Sequence, residues 1–369
     1  MKKQILILAL FSLVLFFGTV NRSFGQNVEV PYLVPTGSVF CPTANTLTCV
    51  DATNGLSPVP GVSYDYEISV PAGSTVHWVV MDQLNVMTAP GTLNPTIDPG
   101  TGLGDYLLTT DAVYNDPANT SSTISLTWKS FDGNTNNVLL VAYVRDATTD
   151  WCTDNIEVYR IIPQYTFTLD LAGVLDDGTE GLSECVGNIQ SSVYDPVLRE
   201  LTVTYGDNYV FFAINAANWQ DSWMPELSAV TSLPNSAIAS VTWAYPDQAT
   251  AAAGPWNATT VQVEATHYAS NDNGFIGQTG ECIIVRVEVT HGTTTENLIA
   301  ETITLSVDGE MINPQTGLYD GGYPDLDEPL SGTGGCEARI ETIDYIITPR
   351  PTITATDPTP FETKVPTGD

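Results

Sequence analysis

The stretch TISLTWK, residues 123–129, decides the fold class of this chain. Its apolar residues Ile124, Leu126 and Trp128 alternate with polar ones, and a β-strand puts such a set on one face because successive side chains point to opposite sides. The same alternation recurs in YEISV (66–70), YTFTLDL (165–171), TTVQVEA (259–265), CIIVRVEV (282–289) and ETITLSV (301–307). No segment shows the spacing of an amphipathic helix, so the chain is predicted to be all-β.

The connections support this class. Clusters of Gly, Pro, Asn and Asp separate the alternating stretches and supply the backbone angles that turns require. The stretch VLLVAYV (138–144) is apolar on both faces, which predicts a central strand of its sheet. Short strands with frequent turns are typical of β-sandwiches.

Two distant stretches share one pattern, which predicts a duplication. WCTDNIEVYRIIPQYTFT (151–168) and GCEARIETIDYIITPRPTIT (335–354) both run from a cysteine through Ile-Glu and Ile-Ile to a proline and a Thr-rich end. Each closes a unit that opens on a cysteine, at Cys49 and Cys185, and contains a glycine (Gly73, Gly206) where a hairpin turn is expected. Two tandem sandwiches are therefore predicted.

The first residues indicate export. Residues 1–25 contain Lys2 and Lys3, an apolar run from Ile5 to Val20 and small residues at Ser23 and Gly25, which is the pattern of a secretory signal peptide. The run falls short of the ~20 residues of a membrane-spanning helix. We therefore expect a secreted protein, extracellular or at the cell surface, that does not insert into a membrane.

Removal of residues 1–25 leaves 8 basic against 43 acidic residues, a net charge of −35. Phosphate-rich partners are repelled by such a chain, so nucleic acid and anionic lipid are excluded as expected partners. The expected partners are other copies of the chain or other surface proteins, with glycans as a further class.

The six cysteines all follow residue 25, and an oxidising compartment would join them as disulfides. If equivalent positions of the two units pair, the bonds are Cys49–Cys152 and Cys185–Cys336. Two alternatives are Cys41–Cys49 and Cys185–Cys282. Under the first scheme Cys41 and Cys282 pair with each other, stay free or bridge between molecules.

The residues of one set of motifs carry a family resemblance. These are Trp78 in STVHWVV, Trp128 in ISLTW, LLVAYV (139–144) and Trp151-Cys152, with Trp243 in ASVTWAY, VRVEVTHG (285–292) and Gly335-Cys336 as the second, looser set. They resemble the PKD-like, immunoglobulin-type repeats of secreted bacterial surface and adhesion proteins, which occur in bacteria with type IX secretion. The resemblance implies two disulfide-stapled immunoglobulin-like sandwiches and a surface or matrix location, and it carries over no catalytic residue.

These observations divide the chain into six parts. They are a signal peptide (1–25), an N-terminal extended segment (26–48), a first immunoglobulin/PKD-like sandwich (49–168), a linker (169–184), a second such sandwich with a long loop at 308–335 (185–350), and a C-terminal extended tail (351–369).

A search for chemistry finds no enzyme motif. The chain has no G-x-S-x-G, no H-E-x-x-H, no phosphate-binding glycine loop and no basic patch. His77, His267 and His291 are scattered and read as surface or strand-end residues. The chain is predicted not to be an enzyme, although a glycosidase pair among its many carboxylates stays open as an alternative.

Calcium is the only candidate cofactor. Oxygen ligands are dense in YDGGYPDLDEP, which contains Asp320, Asp325, Asp327 and Glu328, and Asp132 and Asp272 lie in similar acidic turns. None of these stretches has the spacing of a dedicated calcium loop, and solvated acidic turns are the competing interpretation.

Aromatic residues outside the alternating stretches suggest a sugar site. Trp219 and Trp223 in NWQDSWMPE and Trp256 in GPWNAT are candidates for stacking on sugar rings, while capping of the core is the competing interpretation.

The leading expectation is a non-enzymatic structural or adhesive component of a bacterial surface or matrix. Its strand-like ends, NVEVPYLV (27–34) and RPTITATDP (350–358), either add to a neighbour's sheet in a fibre or fold back on their own domains. The alternative function is a carbohydrate-binding module acting at extracellular polysaccharide.

Overall fold

The computed structural model describes residues 30–94, 106–131, 137–146, 154–198, 200–269, 271, 274–294, 299–314 and 316–351. The predicted signal peptide, Cys152, Asp132, Asp272 and the predicted C-terminal tail beyond Pro351 lie outside these ranges. The described chain is all-β, as predicted. Its helical elements within these ranges are one short helix, α1 (Pro246–Ala249), and one 3-10 turn (Ala265–His267).

The first sandwich consists of two three-stranded sheets and a small hairpin. Its strands are β1 (Ser63–Glu67), β2 (Thr75–Met81), β3 (Met87–Ala89), β4 (Thr92–Leu93), β5 (Leu107–Thr110), β6 (Thr123–Trp128), β7 (Leu139–Arg145) and β8 (Asp154–Arg160). One sheet has the order β1-β6-β5 and the other β2-β7-β8, while β3 and β4 pair only with each other. The strand that is apolar on both faces, β7, is central, as predicted.

The core of this sandwich follows the alternation read from the sequence. Ile124, Leu126 and Trp128 are buried, and β6 pairs antiparallel with β1 so that Ile124 lies opposite Tyr66. The Trp128 indole Nε1 donates to the Tyr66 hydroxyl at 2.8 Å, which satisfies the one polar atom of a fully buried ring. Gly73 lies in the turn before β2 with φ +87°, a conformation that favours glycine.

The second sandwich is larger. Its strands are β9 (Thr168–Val174), β10 (Ser183–Cys185), β11 (Ile189–Asp195), β12 (Glu200–Tyr205), β13 (Asn208–Ala217), β14 (Trp219–Gln220), β15 (Ser222–Thr231), β16 (Ala237–Ala244), β17 (Asn257–Ala258), β18 (Val263–Glu264), β19 (Phe275–Ile276), β20 (Glu281–Thr290), β21 (Thr293–Thr294), β22 (Glu301–Met311) and β23 (Glu341–Thr348). Two five-stranded sheets, β17-β16-β20-β13-β9 and β10-β23-β22-β15-β18, enclose a core of aliphatic and aromatic side chains. The β11-β12-β21 sheet and the β14-β19 pair complete it.

Three predicted segments, a linker, a loop and a strand, differ from the structure. The range 169–184 is not a linker, because β9 pairs with β13 along its whole length, with Leu169 opposite Ala216. The predicted loop 308–335 begins inside β22, which continues to Met311. The stretch TTVQVEA contributes only the two residues of β18 before the 3-10 turn begins.

The shared pattern does not produce equivalent strands. In the first sandwich the closing strand β8 pairs with β7, in the sheet that also contains β2. In the second sandwich the closing strand β23 pairs with β22 and, in parallel, with β10, in the sheet that does not contain β13 and β20. A similar local sequence therefore makes a strand in both units, but packing partners elsewhere in the chain decide which sheet it joins.

The N-terminal segment lies where the sequence did not predict it. Residues 30–49, here termed the strap, do not form a strand, and they cross the outer surface of the second sandwich rather than the first. Strap backbone amides of Leu33, Val34 and Phe40 donate to the carbonyls of Ala249, Asp176 and Gly178 at 2.8–2.9 Å. The first sandwich is therefore an insertion between two parts of one folded unit.

Candidate functional site

Two disulfides fix the strap to the second sandwich. Cys41 is bonded to Cys282 at the start of β20, and Cys49 is bonded to Cys336, five residues before β23. The predicted pairs Cys49–Cys152 and Cys185–Cys336 are therefore wrong, as are the alternatives Cys41–Cys49 and Cys185–Cys282, whereas the Cys41–Cys282 pair, one of the three options left open for these two cysteines, is confirmed. Cys185, at the end of β10, is exposed and has no disulfide partner among the described residues. The predicted pairing failed because the strap crosses to the second unit, which an internal repeat cannot reveal.

An apolar seat holds the first half of the strap. Leu33 is fully buried against Phe211 and Ile284 on the outer face of the β9-β13-β20 sheet, and Phe40 packs at its margin. Burial of a leucine side chain contributes about 1.5–3 kcal/mol. The outer face of this sheet thus carries a second small core, to which the strap contributes Leu33 together with the partly buried Val39 and Phe40.

Arg286 joins this seat to the strap backbone. Its guanidinium carbon lies 4.3 Å from the centroid of the Trp256 ring, and its Nη1 donates to the Pro31 carbonyl at 2.7 Å. Burial lowers the pKa of Arg286, and an arginine guanidinium stays charged in proteins. The ring of Trp256, a candidate for sugar stacking, therefore makes a cation–π contact with Arg286 beside the strap.

The other two sugar candidates are core residues. Trp219 and Trp223 are both fully buried, with the Trp219 Nε1 donating to the Ala216 carbonyl at 2.9 Å and Trp223 packed 5.9 Å from Phe167. Neither ring can stack on a sugar from solvent. The prediction of a sugar site at these residues is wrong, because the polar residues around them mark tight turns rather than an open surface.

Carboxyl groups line the second half of the strap. Asn45 donates from its backbone and side-chain amides to the Asp170 carboxylate, and the Thr48 backbone amide donates to the Glu328 carboxylate. Next to them Asp325 and Asp327 are only 1% and 6% exposed, and the Arg339 Nε lies 3.4 Å from the Asp327 carboxylate. The strap thus ends over a group of largely buried acids.

Burial changes the ionisation of this group. It raises the pKa of Asp325 to about 9, helped by a hydrogen bond with Asp308, and it raises the pKa of Glu341 to about 8, helped by the charge of Asp327. Burial also raises the pKa of Asp170 to about 6 against the opposing hydrogen bonds from Asn45. Asp325 and Glu341 therefore hold protons at neutral pH, and Asp325 is too deeply buried to meet a substrate.

The four calcium candidates do not form a metal site. Asp320 is exposed and accepts a hydrogen bond from the Asn313 side-chain amide at 2.9 Å, whereas Glu328 faces Thr48 and Asp325 accepts from the Gly309 amide at 3.0 Å. Across the described ranges, no three His, Cys, Asp or Glu side chains are placed to hold a metal ion. Protonated Asp325 would also be a poor ligand for a hard cation.

His291 is not the surface residue that its turn sequence predicted. It is 1% exposed, with its Nδ1 at 2.9 Å from the Glu301 carboxylate and its Nε2 at 2.6 Å from the Asn208 side-chain oxygen. Burial acts to raise the pKa of Glu301, but hydrogen bonds from His291 and Thr231 lower it overall. No local signal marks His291 as buried, because its partners lie on β13 and β22.

Comparisons with known proteins do not assign a family. No protein-family model matches the chain, and no curated protein is significantly similar to it. The PKD-like resemblance therefore stays a prediction. Among the described residues, no helix has the length and apolar character needed to cross a membrane.

Proposed function

We propose that the protein is a non-enzymatic, exported structural or adhesive component of a bacterial cell surface or extracellular matrix. The observation that carries the proposal is the pair of disulfides that join the strap to the second sandwich across 241 and 287 residues of sequence. Such bonds persist in oxidising compartments outside the cytoplasm, which agrees with the predicted signal peptide.

The bonds change how the chain would carry tension. The shortest covalent route from Cys41 to Pro351 runs through the Cys49–Cys336 bond and spans roughly 80 Å when fully extended, against roughly 1,100 Å for the chain without cross-links. A pull on the two ends of the chain is therefore borne by the second sandwich and its bonds. The first sandwich lies outside this route and stays folded and available for contact.

This arrangement suits a protein that must hold position under load. A cross-link that closes a loop of this size also stabilises the folded state, by about 2–5 kcal/mol where native geometry is unstrained. In this proposal the second sandwich anchors the chain, and the first sandwich is a domain exposed for contact with partners.

The fibre version of the hypothesis needs revision at one end. The sequence left two options for the N-terminal segment, pairing with a neighbour's sheet or folding back on its own chain, and residues 30–34 lie on their own second sandwich, where Leu33 is fully buried. Donation of the N-terminal segment to a neighbour is therefore not part of the proposal. Residues beyond Pro351 lie outside the described ranges, and the prediction for that end stays as it was.

Force spectroscopy tests the load-bearing proposal. The mature chain is placed between two handle domains and pulled in oxidised form, and we expect the contour length between Cys41 and Pro351 to stay near roughly 80 Å. The variant Cys49→Ser/Cys336→Ser keeps the Cys41–Cys282 bond and should lengthen to roughly 240 Å. Cys185→Ser, at the exposed cysteine that takes part in neither of these two bonds, is the matched control and should behave as the parent.

Extension of the oxidised parent to roughly 1,100 Å would contradict the proposal.

Location is tested separately, by labelling intact cells of the source bacterium with a membrane-impermeant biotin reagent. We expect the protein to be labelled, and recovery of an unlabelled protein from the cytoplasm alone would overturn the assignment to the cell surface or matrix.

A further inference from the structure

A cleft lies on the outer face of the first sandwich, away from the strap and the disulfides. Its volume is about 400 Å³, within the range of about 300–1,000 Å³ that is typical of ligand clefts. The floor is formed by β2 and β7, one wall is the β3-β4 hairpin, and the other is the turn at residues 115–117. It is not one of the sites that the sequence suggested.

The floor is a row of cross-strand pairs. β2 and β7 pair antiparallel, so that Val79 lies opposite Val141, His77 opposite Tyr143, and Thr75 opposite Arg145. Alternate residues of β2 point into the core, which leaves these pairs on the outer face. The row therefore runs from an apolar pair, Val79 and Val141, to a polar pair, Thr75 and Arg145. Tyr143 lies between them and is only 5% exposed.

The polar side chains are held in place. The Tyr143 hydroxyl donates to the Asp154 carboxylate at 2.5 Å, and the Arg145 Nη2 donates to the Gly91 carbonyl in the hairpin turn. The Arg145 guanidinium also lies 5.1 Å from the centroid of the Tyr143 ring. A site whose side chains are fixed in advance loses less conformational entropy when it binds a ligand.

Asn115 fixes the opposite wall. Its backbone has φ +57°, its amide N–H donates to the Trp78 carbonyl at 2.9 Å, and its side-chain oxygen lies 3.1 Å from the His77 Nε2. Asparagine is one of the residues other than glycine that adopt this left-handed conformation most readily, which suits the turn. The wall thus presents an amide and an imidazole side by side at the polar end of the cleft.

The chemistry of this lining matches a hydroxyl-rich ligand. Amide, imidazole, hydroxyl and guanidinium groups supply both donors and acceptors, as vicinal hydroxyl groups require, while the partly exposed Leu93 offers apolar contact for a ring face. An anionic ligand fits less well, because Arg145 already lies next to Asp154 in the strand pairing and the mature chain carries a net charge of −35.

We propose that the cleft between β2, β7 and the β3-β4 hairpin binds a neutral oligosaccharide. The apolar face of one sugar ring lies against Leu93, and its hydroxyl groups bond to His77, Asn115 and Arg145. This proposal places the sugar-binding activity on the first sandwich and away from Trp219, Trp223 and Trp256. It goes beyond the load-bearing function and does not depend on it.

Titration calorimetry on the mature chain tests the site. The probes are the neutral hexasaccharides of cellulose, laminarin, xylan, mannan, chitin and starch, with oligogalacturonate and oligoalginate as acidic counterparts. We expect saturable binding of at least one neutral probe and none of the acidic ones. Binding of acidic probes alone, or of no probe at millimolar concentration, overturns the proposal.

Two substitutions locate the site. Asn115→Gly removes the amide while glycine accepts the left-handed backbone, and His77→Ala removes the imidazole; each should weaken binding between about two- and tenfold. His267→Ala, which removes a partly exposed histidine paired with Asp247 on the second sandwich, is the matched control and should leave affinity unchanged. Thermal melts of each variant verify folding, and binding that survives both cleft substitutions overturns the assignment to this cleft.

Discussion

At the scale of single residues, the buried acids at the end of the strap determine how the protein responds to pH. A carboxyl group whose pKa is raised on folding binds its proton more tightly in the folded state than in the unfolded state. For Asp325 the folded pKa is about 9 and the ordinary value is 3.8. The stability linked to this proton is fully present below the ordinary pKa and is lost progressively as the pH rises through about 9.

Replacement of Asp325 tests this linkage. Asp325→Asn keeps an oxygen that can accept from the Gly309 amide but cannot ionise, so we expect it to flatten the fall in stability between pH 5 and pH 9. At pH 9 its Tm should exceed that of the parent by about 2–6 °C. The measurement is a series of thermal melts across pH.

Asp320→Asn is the control for that series, because Asp320 belongs to the same loop but is exposed. It should leave the pH profile as it is in the parent. A profile that Asp325→Asn does not alter would show that the proton is not held at this residue.

At the scale of single elements, the strap owes its position to long-range packing. Leu33 is fully buried, whereas its neighbour Val34 is 56% exposed, although both donate backbone hydrogen bonds to the second sandwich. The apolar contact of Leu33, rather than the backbone pairing, is therefore expected to decide whether the first half of the strap stays attached.

Hydrogen exchange tests the strap. Leu33→Ala removes packing worth about 2–5 kcal/mol at a buried site, so amides of residues 33–40 should exchange faster than in the parent while amides of β2 and β7 should not change. Val34→Ala is the matched control and should alter stability by no more than about 0.5 kcal/mol. Equal exchange in the two variants would contradict a seat built around Leu33.

The strands could be predicted from sequence far better than the strap. Alternation is a local signal, and it located β6 through Ile124, Leu126 and Trp128 and predicted the central place of β7. The strap has no such signal, because the partners of Leu33 lie on β13 and β20. The burial of Trp219 and Trp223 was missed for a related reason, since turn-forming neighbours indicate exposure even where a turn folds inward.

At the scale of the whole molecule, the central feature is that the first sandwich is inserted between the strap and the rest of the second unit. The sequence correctly indicated an all-β chain with cysteines in disulfides, but the repeat led to a pairing within each unit. The cleft was also missed, because His77, Asn115 and Tyr143 come from three separate parts of the chain that only the sheet pairing and the turn at residues 115–117 bring together.

Mapping of the disulfides in the mature protein tests this arrangement most directly. The protein is digested without reduction and the linked peptides are identified by mass spectrometry, with a reduced digest as the reference. We predict linked peptides that contain Cys41 with Cys282 and Cys49 with Cys336, and Cys185 should be in neither of these two pairs. Recovery of Cys49 linked to Cys152, or of Cys185 linked to Cys336, would instead show two separately closed units and contradict the inserted first sandwich.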